Sequence, residues 1–242
     1  MDNLYDIHCH AVPGVDDGAA SVQEGLEILR LEYMDGVRTI ILTPHYRRGM
    51  FETGRGRVKE QFELLQSAAA EILPDMSLYL GCEFHSNMDM TDLLDESEYF
   101  RMAGSCYVLL EFSGGASRES MQERIYQAVS NGYVPIIAHA ERYDILLKDP
   151  GLAEQLVRTG AEIQVNAESI LGRAGRPIQK FCRQLMKYDL LTYVGSDAHN
   201  ASGRPPRMGE CAAWLEKKMG TGYASRILTR NPGEIIAAGQ GA

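Results

Sequence analysis

Several features that define other classes of protein are scarce or missing in this sequence. The five cysteines are odd in number and widely spaced, and none belongs to a C-x-x-C pair. This argues against a disulfide framework, a zinc knuckle or a redox dithiol. No apolar run approaches the ~18–20 residues that span a bilayer, and the first residues lack the basic and apolar segments of a signal peptide. We therefore expect a cytoplasmic protein with reduced thiols and no membrane insertion.

Positive charge is also in deficit. The chain has 24 Lys and Arg against 33 Asp and Glu, a formal net charge of −9. Extended binding to nucleic acid phosphates needs a basic surface, so we expect no nucleic acid partner, although a nuclease with a local metal site stays open as an alternative. No G-x-x-x-x-G-K-[ST] phosphate loop occurs. No cysteine is followed six residues later by arginine, as a cysteine-based tyrosine phosphatase requires.

The chain does contain a regular alternation of short apolar runs and longer amphipathic ones. The predicted strands cover 4–8, 37–43, 78–81, 107–112, 134–138, 161–165 and 191–195. The predicted helices cover 21–35, 57–73, 118–131, 144–159, 177–189 and 207–219, with more helical pattern in the tail. Ser21 and Glu24 predict a capping box at the first helix, and Gly36 and Gly132 predict left-handed helix stops.

Strand–helix alternation of this kind predicts a parallel sheet. About seven strand–helix units in 242 residues favour one closed structure over two separate domains. We therefore predict an α/β fold in which a distorted, TIM-like (β/α)7 barrel forms a single domain over residues 1–242. A doubly wound open sheet is the alternative.

All six histidines lie at or just beyond the ends of predicted strands, and four acidic residues share those positions. The set comprises His8, His10, His45, His85, His139, His199, Asp17, Glu83, Glu111 and Asp197. Strand ends of a parallel barrel converge on one face, where active sites form. Neutral imidazole and carboxylate are good ligands for Mn, Fe or Zn. The joint pattern predicts one metal-binding pocket, with His85 at its edge.

Two of the spacings carry more detail. In His8-Cys9-His10, the two imidazoles point the same way if the strand continues, and Cys9 points opposite. Asp197-Ala198-His199 repeats the spacing with a carboxylate and an imidazole. Asp6 lies one step deeper than His8 and is predicted to accept the second ring N–H of a ligand histidine. A Ser-His-Asp hydrolase is compatible with the composition, but it leaves the grouped carboxylates unexplained.

Seven short segments together resemble the polymerase-and-histidinol-phosphatase (PHP) superfamily. They are D-I-H-C-H at 6–10, V-D-D-G at 15–18, T-P-H at 43–45, G-C-E at 81–83, L-E-F at 110–112, A-H-A-E-R-Y at 138–143 and G-S-D-A-H-N at 195–200. Within the superfamily they most resemble the CpsB/YwqE-type protein-tyrosine phosphatases of bacterial capsule and exopolysaccharide clusters. The similarity runs from Asp6 to about Arg207. It implies a PHP-type barrel and a metal-dependent phosphatase of phosphotyrosine proteins.

The resemblance also implies a site of two or three divalent ions, with manganese first and iron or zinc as alternatives. By position, the first ion would be held by His8, His10, Glu83 and Asp197. Glu83 would bridge to a second ion that is completed by Glu111 and His139, and the third ion would be held by Asp17, His45 and His199. Arg142 and Arg204 stand where the family has phosphate-binding arginines. Together with Asp17 they are the predicted catalytic residues.

Three other functions remain open from the sequence. A small-molecule phosphatase of the same superfamily, such as a histidinol phosphatase, would share the metal ligands. A PHP nuclease and a non-catalytic metal-bound interaction module are further alternatives. Four arginines in and beside a glycine-containing loop, Arg47, Arg48, Arg55 and Arg57, are interpreted as solvated slightly in preference to substrate-binding. The implied partner is a bacterial tyrosine kinase of polysaccharide export, and the oligomeric state is open.

Overall fold

Parallel strands form the centre of the computed structural model, which describes residues 3–87 and 89–241. The strands are β1 Leu4–Cys9, β2 Val37–Leu42, β3 His45–Tyr46, β4 Ser77–Leu80, β5 Glu83–His85, β6 Tyr107–Glu111, β7 Val134–Ile137, β8 Glu162–Asn166 and β9 Tyr193–Gly195. All seven predicted strands are observed, with ends shifted by up to two residues. The short strands β3 and β5 were not predicted, because Pro44 and Gly81 interrupt the apolar runs that precede them.

Helices follow most of the strands. They are α1 Val22–Met34, α2 Arg55–Ile72, α3 Met90–Glu96, α4 Arg118–Ser130, α5 Asp144–Lys148, α6 Pro150–Thr159, α7 Ala167–Ile170, α8 Arg176–Lys187, α9 Met208–Met219, α10 Thr221–Ser225 and α11 Asn231–Gln240. The Ser21 hydroxyl caps α1 by accepting from the Glu24 amide at 3.2 Å. Gly36 and Gly132 have φ of 91° and 83°, so the predicted stops are confirmed.

Two differences from the predicted helices have a local cause. The predicted helix 144–159 is divided into α5 and α6 because Pro150 cannot continue the hydrogen bonding of α5. Short helices α3 and α7 carry too few turns to give a periodic pattern. None of the helices in the described part of the chain combines the length and the apolar character needed to cross a bilayer.

The strands pair in two parallel sheets with the orders β1-β2-β4 and β3-β5-β6-β7-β8-β9. Backbone hydrogen bonds link the sheets where β1 ends: Asp197 donates to the His8 carbonyl at 2.7 Å, and His10 donates to the Ala198 carbonyl at 2.9 Å. The parallel α/β prediction is confirmed. The continuous seven-stranded barrel is not, because the hydrogen bonding divides the strands between two sheets.

Side chains alternate between two apolar layers along the strands. Leu109 and Ile136 belong to a smaller cluster that Ile235 of α11 closes, whereas their neighbours Leu110 and Ile137 belong to the larger cluster under the other helices. Both layers are fully buried at these positions. Since the strands are parallel and their sides are packed, the polar residues beyond their carboxyl ends are held close together.

Candidate metal centre

Glu83 at the start of β5 lies at the centre of the predicted site and is fully buried. Its Oε2 lies 3.2 Å from Nε2 of His8, inside β1, and 3.3 Å from Nε2 of His10, directly after β1. The same oxygen lies 3.0 Å from Nδ1 of His45, and Oε1 lies 2.7 Å from Nε2 of His139. One carboxylate therefore faces four imidazoles contributed by three other strand ends.

A second group of possible ligands lies on the solvent side of Glu83. Oδ1 of Asp17 is 3.5 Å from Nε2 of both His45 and His199. The Asp17 side chain is half-exposed, whereas His199 is buried. Oδ1 of Asp197 is 3.6 Å and 3.5 Å from Nε2 of His8 and His10. The structure thus brings the predicted ligands into one pocket.

Three histidines have their second ring nitrogen held by a partner. Nδ1 of His10 donates to Asp16 at 2.8 Å, and Nδ1 of His199 donates to the Asp197 carbonyl at 3.0 Å. Nδ1 of His8 faces Oε1 of Gln164 at 3.2 Å. These contacts leave each Nε2 lone pair directed into the pocket, the tautomer that a metal ligand requires. No motif singled out Gln164, and Asp16 stands next to Asp17 in the V-D-D-G segment, where only Asp17 was predicted as a ligand.

The role predicted for Asp6 is wrong. His8 and His10 do share a side, with their Nε2 atoms 3.2 Å apart. Asp6 instead accepts from the His8 backbone amide at 3.1 Å and from the Ser196 hydroxyl at 2.6 Å. The register of β1 shifts between Asp6 and Cys9, so simple alternation fails there. Asp6 consequently lies with the buried carboxyl of Glu32 on α1.

Backbone strain is concentrated at two of the predicted ligands. His139 has φ 32° and Asp197 has φ 53°, in the left-handed region that non-glycine residues rarely occupy. Such conformations persist where surrounding contacts impose them, and they occur often at functional sites. Two glycines are required by close approach: a Cβ on Gly18 would lie 2.1 Å from the His10 carbonyl oxygen, and one on Gly195 would lie 2.6 Å from the His8 Cβ.

The electrostatics of the pocket suit bound cations. Burial alone would raise the pKa of the Glu83 carboxyl, but the surrounding histidines hold it well below its usual range. Burial and the nearby charge of Glu83 raise the pKa of Glu111. Burial, followed by the charge of His10, lowers the pKa of His199 to about 2, so this imidazole is neutral at neutral pH. Burial alone would lower the pKa of His8 and His10, but Glu83 raises that of His8, and Asp16 and Glu83 raise that of His10 to about 10. Ligand imidazoles must be neutral, so metal binding at these two histidines would release protons.

Four buried atoms in the pocket lack hydrogen-bond partners among the described residues: Oε2 of Glu83, Oε2 of Glu111, Nδ1 of His45 and Nε2 of His199. Buried polar atoms are almost always paired, so these four fit residues that are completed by a cation. Four sets of donor atoms in this pocket lie within 4.8 Å of one another: His10, Asp17, His45 and His199; His8, His10 and Asp197; His8, Glu83 and His139; and His45, Glu83 and Glu111.

These sets differ in three details from the grouping that the resemblance implies. Glu83 is absent from the set of His8, His10 and Asp197 and groups instead with His8 and His139. Glu111 groups with His45 and Glu83, whereas it was expected with His139. His10 also joins the outer set of Asp17, His45 and His199. His8, His10, His45 and Glu83 each appear in two sets, so the donors form one continuous centre. The donor chemistry therefore fits two or three adjacent divalent ions.

Two arginines close one side of this centre. Nη2 of Arg142 lies 2.7 Å from Oδ2 of Asp197, and Nη2 of Arg204 lies 2.9 Å from the same oxygen. Nδ2 of Asn166 donates to that oxygen at 2.8 Å. Both guanidinium groups line a cavity of about 260 Å³. The cavity is also lined by Asp17, His45, Arg47, Met50, Phe51, Glu83, Glu111, His139 and Asp197.

The remaining predicted residues have distinct positions. His85 bonds to the Ser113 hydroxyl at 3.1 Å and belongs to none of the donor sets among the described residues. Arg55 and Arg57 lie on α2, which begins two residues before the predicted helix 57–73. Arg48 pairs with Asp89. Arg47 lines the cavity, which the interpretation of these four arginines as a solvated loop did not anticipate.

Comparison with known proteins identifies the family of the chain. Residues 4–237 match the family described as "Capsular polysaccharide synthesis, CpsB/CapC". The chain belongs to the CpsB/CapC family. It is 33% identical over 238 residues to the tyrosine-protein phosphatase CpsB of Streptococcus pneumoniae, covering 96% of this chain and 98% of that protein. It is 31% identical over 220 residues to the tyrosine-protein phosphatase YwqE of Bacillus subtilis (strain 168), covering 90% and 86%.

Solved structures extend the comparison of this CpsB/CapC-family protein. A chain from the crystal structures of YwqE from Bacillus subtilis and CpsB from Streptococcus pneumoniae, described as unique metal-dependent tyrosine phosphatases, superposes with a TM-score of 0.89. The two chains are 30% identical, and the match covers 97% of this chain and 94% of the other. A histidinol phosphate phosphatase from Lactococcus lactis matches at a TM-score of 0.54 and 15% identity, covering 91% and 95%. That likeness shows a shared fold.

Proposed function

We propose that this chain is a metal-dependent phosphatase that hydrolyses phosphotyrosine in proteins. The observation that carries the proposal is the centre around Glu83, where imidazoles, carboxylates and two arginines meet in one cavity. The relatives with 31–33% identity are named tyrosine-protein phosphatases, and the similar solved structure is described as metal-dependent. The likeness to histidinol phosphatases extends to the fold alone, so it does not favour the small-molecule alternative.

The donor set supports an assignment of ligands. His8, His10, Asp17, His45, Glu83, Glu111, His139, Asp197 and His199 would hold two or three ions in a distorted PHP-type barrel. No thiolate belongs to the set, and nitrogen and oxygen donors suit manganese, with iron and zinc as alternatives. Bound divalent ions would supply an activated water and positive charge for the phosphoryl oxygens.

The charges of the chain's own residues suit a phosphate monoester. Three divalent ions bring about +6, and the four carboxylates of the set return about −4. A hydroxide and a monoester dianion then leave the site at about −1, which Arg142 and Arg204 would offset as forked donors to the phosphoryl oxygens. Water attacks phosphorus in line, the bond from phosphorus to the phenolic oxygen breaks, and the tyrosine hydroxyl takes up a proton. The products are tyrosine and inorganic phosphate.

Asp197 has two functions in this mechanism. Its Oδ1 faces His8 and His10, and its Oδ2 accepts from both arginines and from Asn166. One buried carboxylate thereby couples the positions of the phosphate-binding groups to the ligand cluster. The substrate we propose is a cytoplasmic, tyrosine-phosphorylated protein, and a tyrosine kinase of polysaccharide export suits the family of capsular polysaccharide synthesis.

Metal analysis combined with three parallel assays tests the function. We expect two or three ions per chain and faster release of phosphate from a phosphotyrosine peptide than from histidinol phosphate, with no cleavage of single-stranded DNA. Glu83→Gln should lose both metal and activity, because it removes the central negative charge. Preference for histidinol phosphate would contradict the tyrosine-phosphatase proposal, and cleavage of DNA would favour the nuclease.

A further inference from the structure

A small hairpin stands at the mouth of the cavity. Its ends are fixed by two backbone hydrogen bonds: the Arg47 amide donates to the Phe51 carbonyl at 2.9 Å, and the Phe51 amide donates to the Arg47 carbonyl at 2.8 Å. Gly49 makes the turn with φ 77°, and its amide donates to the Glu52 carboxylate at 3.0 Å. This segment, residues 47–51, is called the 47–51 hairpin below. The hydrogen bonds just described therefore hold the shape of the hairpin.

The hairpin presents an apolar surface to a polar cavity. The Phe51 ring lies flat on the His45 ring, with centroids 5.1 Å apart and planes inclined by 9°. Met50 is 60% exposed although it lines the cavity. An aromatic ring and a flexible thioether are suited to contact with another aromatic ring. Neither side chain offers a nitrogen or oxygen atom to an ion or a phosphate, so both are suited to contact with the organic part of a substrate.

Arg47 differs from the other arginines near the site. Within the described part of the chain, its side chain forms no hydrogen bond or ion pair, whereas Arg48 pairs with Asp89 and Arg142 and Arg204 both pair with Asp197. Arg47 nevertheless lines the cavity. Arg47 belongs to the hairpin that follows β3, whereas Arg142 and Arg204 lie on segments that follow β7 and β9.

We propose that the 47–51 hairpin recognises aryl phosphate monoesters, with Met50 and Phe51 contacting the aromatic ring and Arg47 donating to the phosphate. The inference rests on the proposed function and adds the residues that select its substrate class. A guanidinium without an internal partner is available for a phosphate without first breaking an ion pair. The ring contacts would favour phosphotyrosine over phosphoserine, which has no aromatic ring to make them.

Two variants distinguish the ring contacts from the phosphate contact. All phosphate monoesters share the phosphate, whereas only aryl esters have the ring. Met50→Ala/Phe51→Ala should raise KM for a phosphotyrosine peptide roughly tenfold, the scale of lost aromatic contacts. The same variant should keep the inhibition constant for inorganic phosphate within about twofold. Arg47→Ala should raise both KM for the peptide and the inhibition constant for inorganic phosphate by about tenfold or more. Arg47→Lys should restore part of the lost binding.

Arg48→Ala is the matched control, since it removes the same charge from the same hairpin without touching the cavity. We expect wild-type constants from it, and wild-type metal content from every variant. Unchanged KM in the double variant, or an Arg47→Ala variant that behaves like Arg48→Ala, would overturn the inference. Absence of phosphotyrosine hydrolysis by the wild-type protein would instead refute the proposed function, so the two failures are distinguishable.

Discussion

Replacing Arg142 or Arg204 with alanine removes one of two guanidinium groups that share Oδ2 of Asp197. Each single variant leaves the other arginine in place, and Asn166 still donates to the same oxygen at 2.8 Å. The buried Asp197 carboxylate is therefore never left without a partner. We expect both variants to fold and to keep full metal content.

The magnitude follows from the loss of one charge-assisted contact to phosphate. Such a contact is worth ~1.5–3 kcal/mol, or roughly ten- to hundredfold in kcat/KM. The side chains of Arg142 and Arg204 are 37% and 39% exposed, which favours the lower end of that range. Because the two groups share one partner, their effects should be coupled, and the double variant should depart from the sum of the single losses.

The assay is steady-state hydrolysis of a phosphotyrosine peptide, with metal content measured on the same samples. Lysine at either position should restore only part of the activity, because it cannot form the two-point fork. Arg173→Ala is a suitable control, since Arg173 forms an exposed pair with Glu210 away from the cavity. Wild-type kcat/KM in both alanine variants would remove these arginines from the site.

Three more predictions address the metal, the thiols and a buried carboxyl pair. Protein purified without chelator should contain two or three ions per chain by elemental analysis, and less than one would contradict the proposed centre. Replacing all five cysteines with serine or alanine should keep activity within a few-fold, provided the fold survives, whereas loss through one thiol with metal intact would indicate a cysteine nucleophile. Burial and the nearby Asp6 raise the pKa of Glu32, so its stabilising contribution is present below the unfolded pKa and is lost as pH rises. Glu32→Gln should therefore raise Tm at pH 8, by about 2–4 °C for each kcal/mol gained in the free energy of unfolding. It should give no gain in Tm near pH 4.5. An equal Tm shift at both pH values would refute this account.

Much of the local structure was predictable because its causes are local. The Ser21 cap and the stops at Gly36 and Gly132 depend on a few neighbouring residues. Apolar runs marked seven of the strands because a strand buried on both faces needs apolar side chains throughout. The division into two sheets was not predictable, since it depends on how strands remote in sequence pair with one another.

The sequence alone determined which chemistry the site contains, because histidines and carboxylates after parallel strands must converge at one face. The tertiary structure decided how each side chain is held. It brought Gln164 to His8 across 156 residues, and it bonded Asp6 to Ser196, close to Glu32, instead of to the ring of a ligand histidine. It also left Arg47 unpaired in the described part of the chain and facing the cavity. Such contacts depend on distances between elements remote in sequence, which no local pattern encodes.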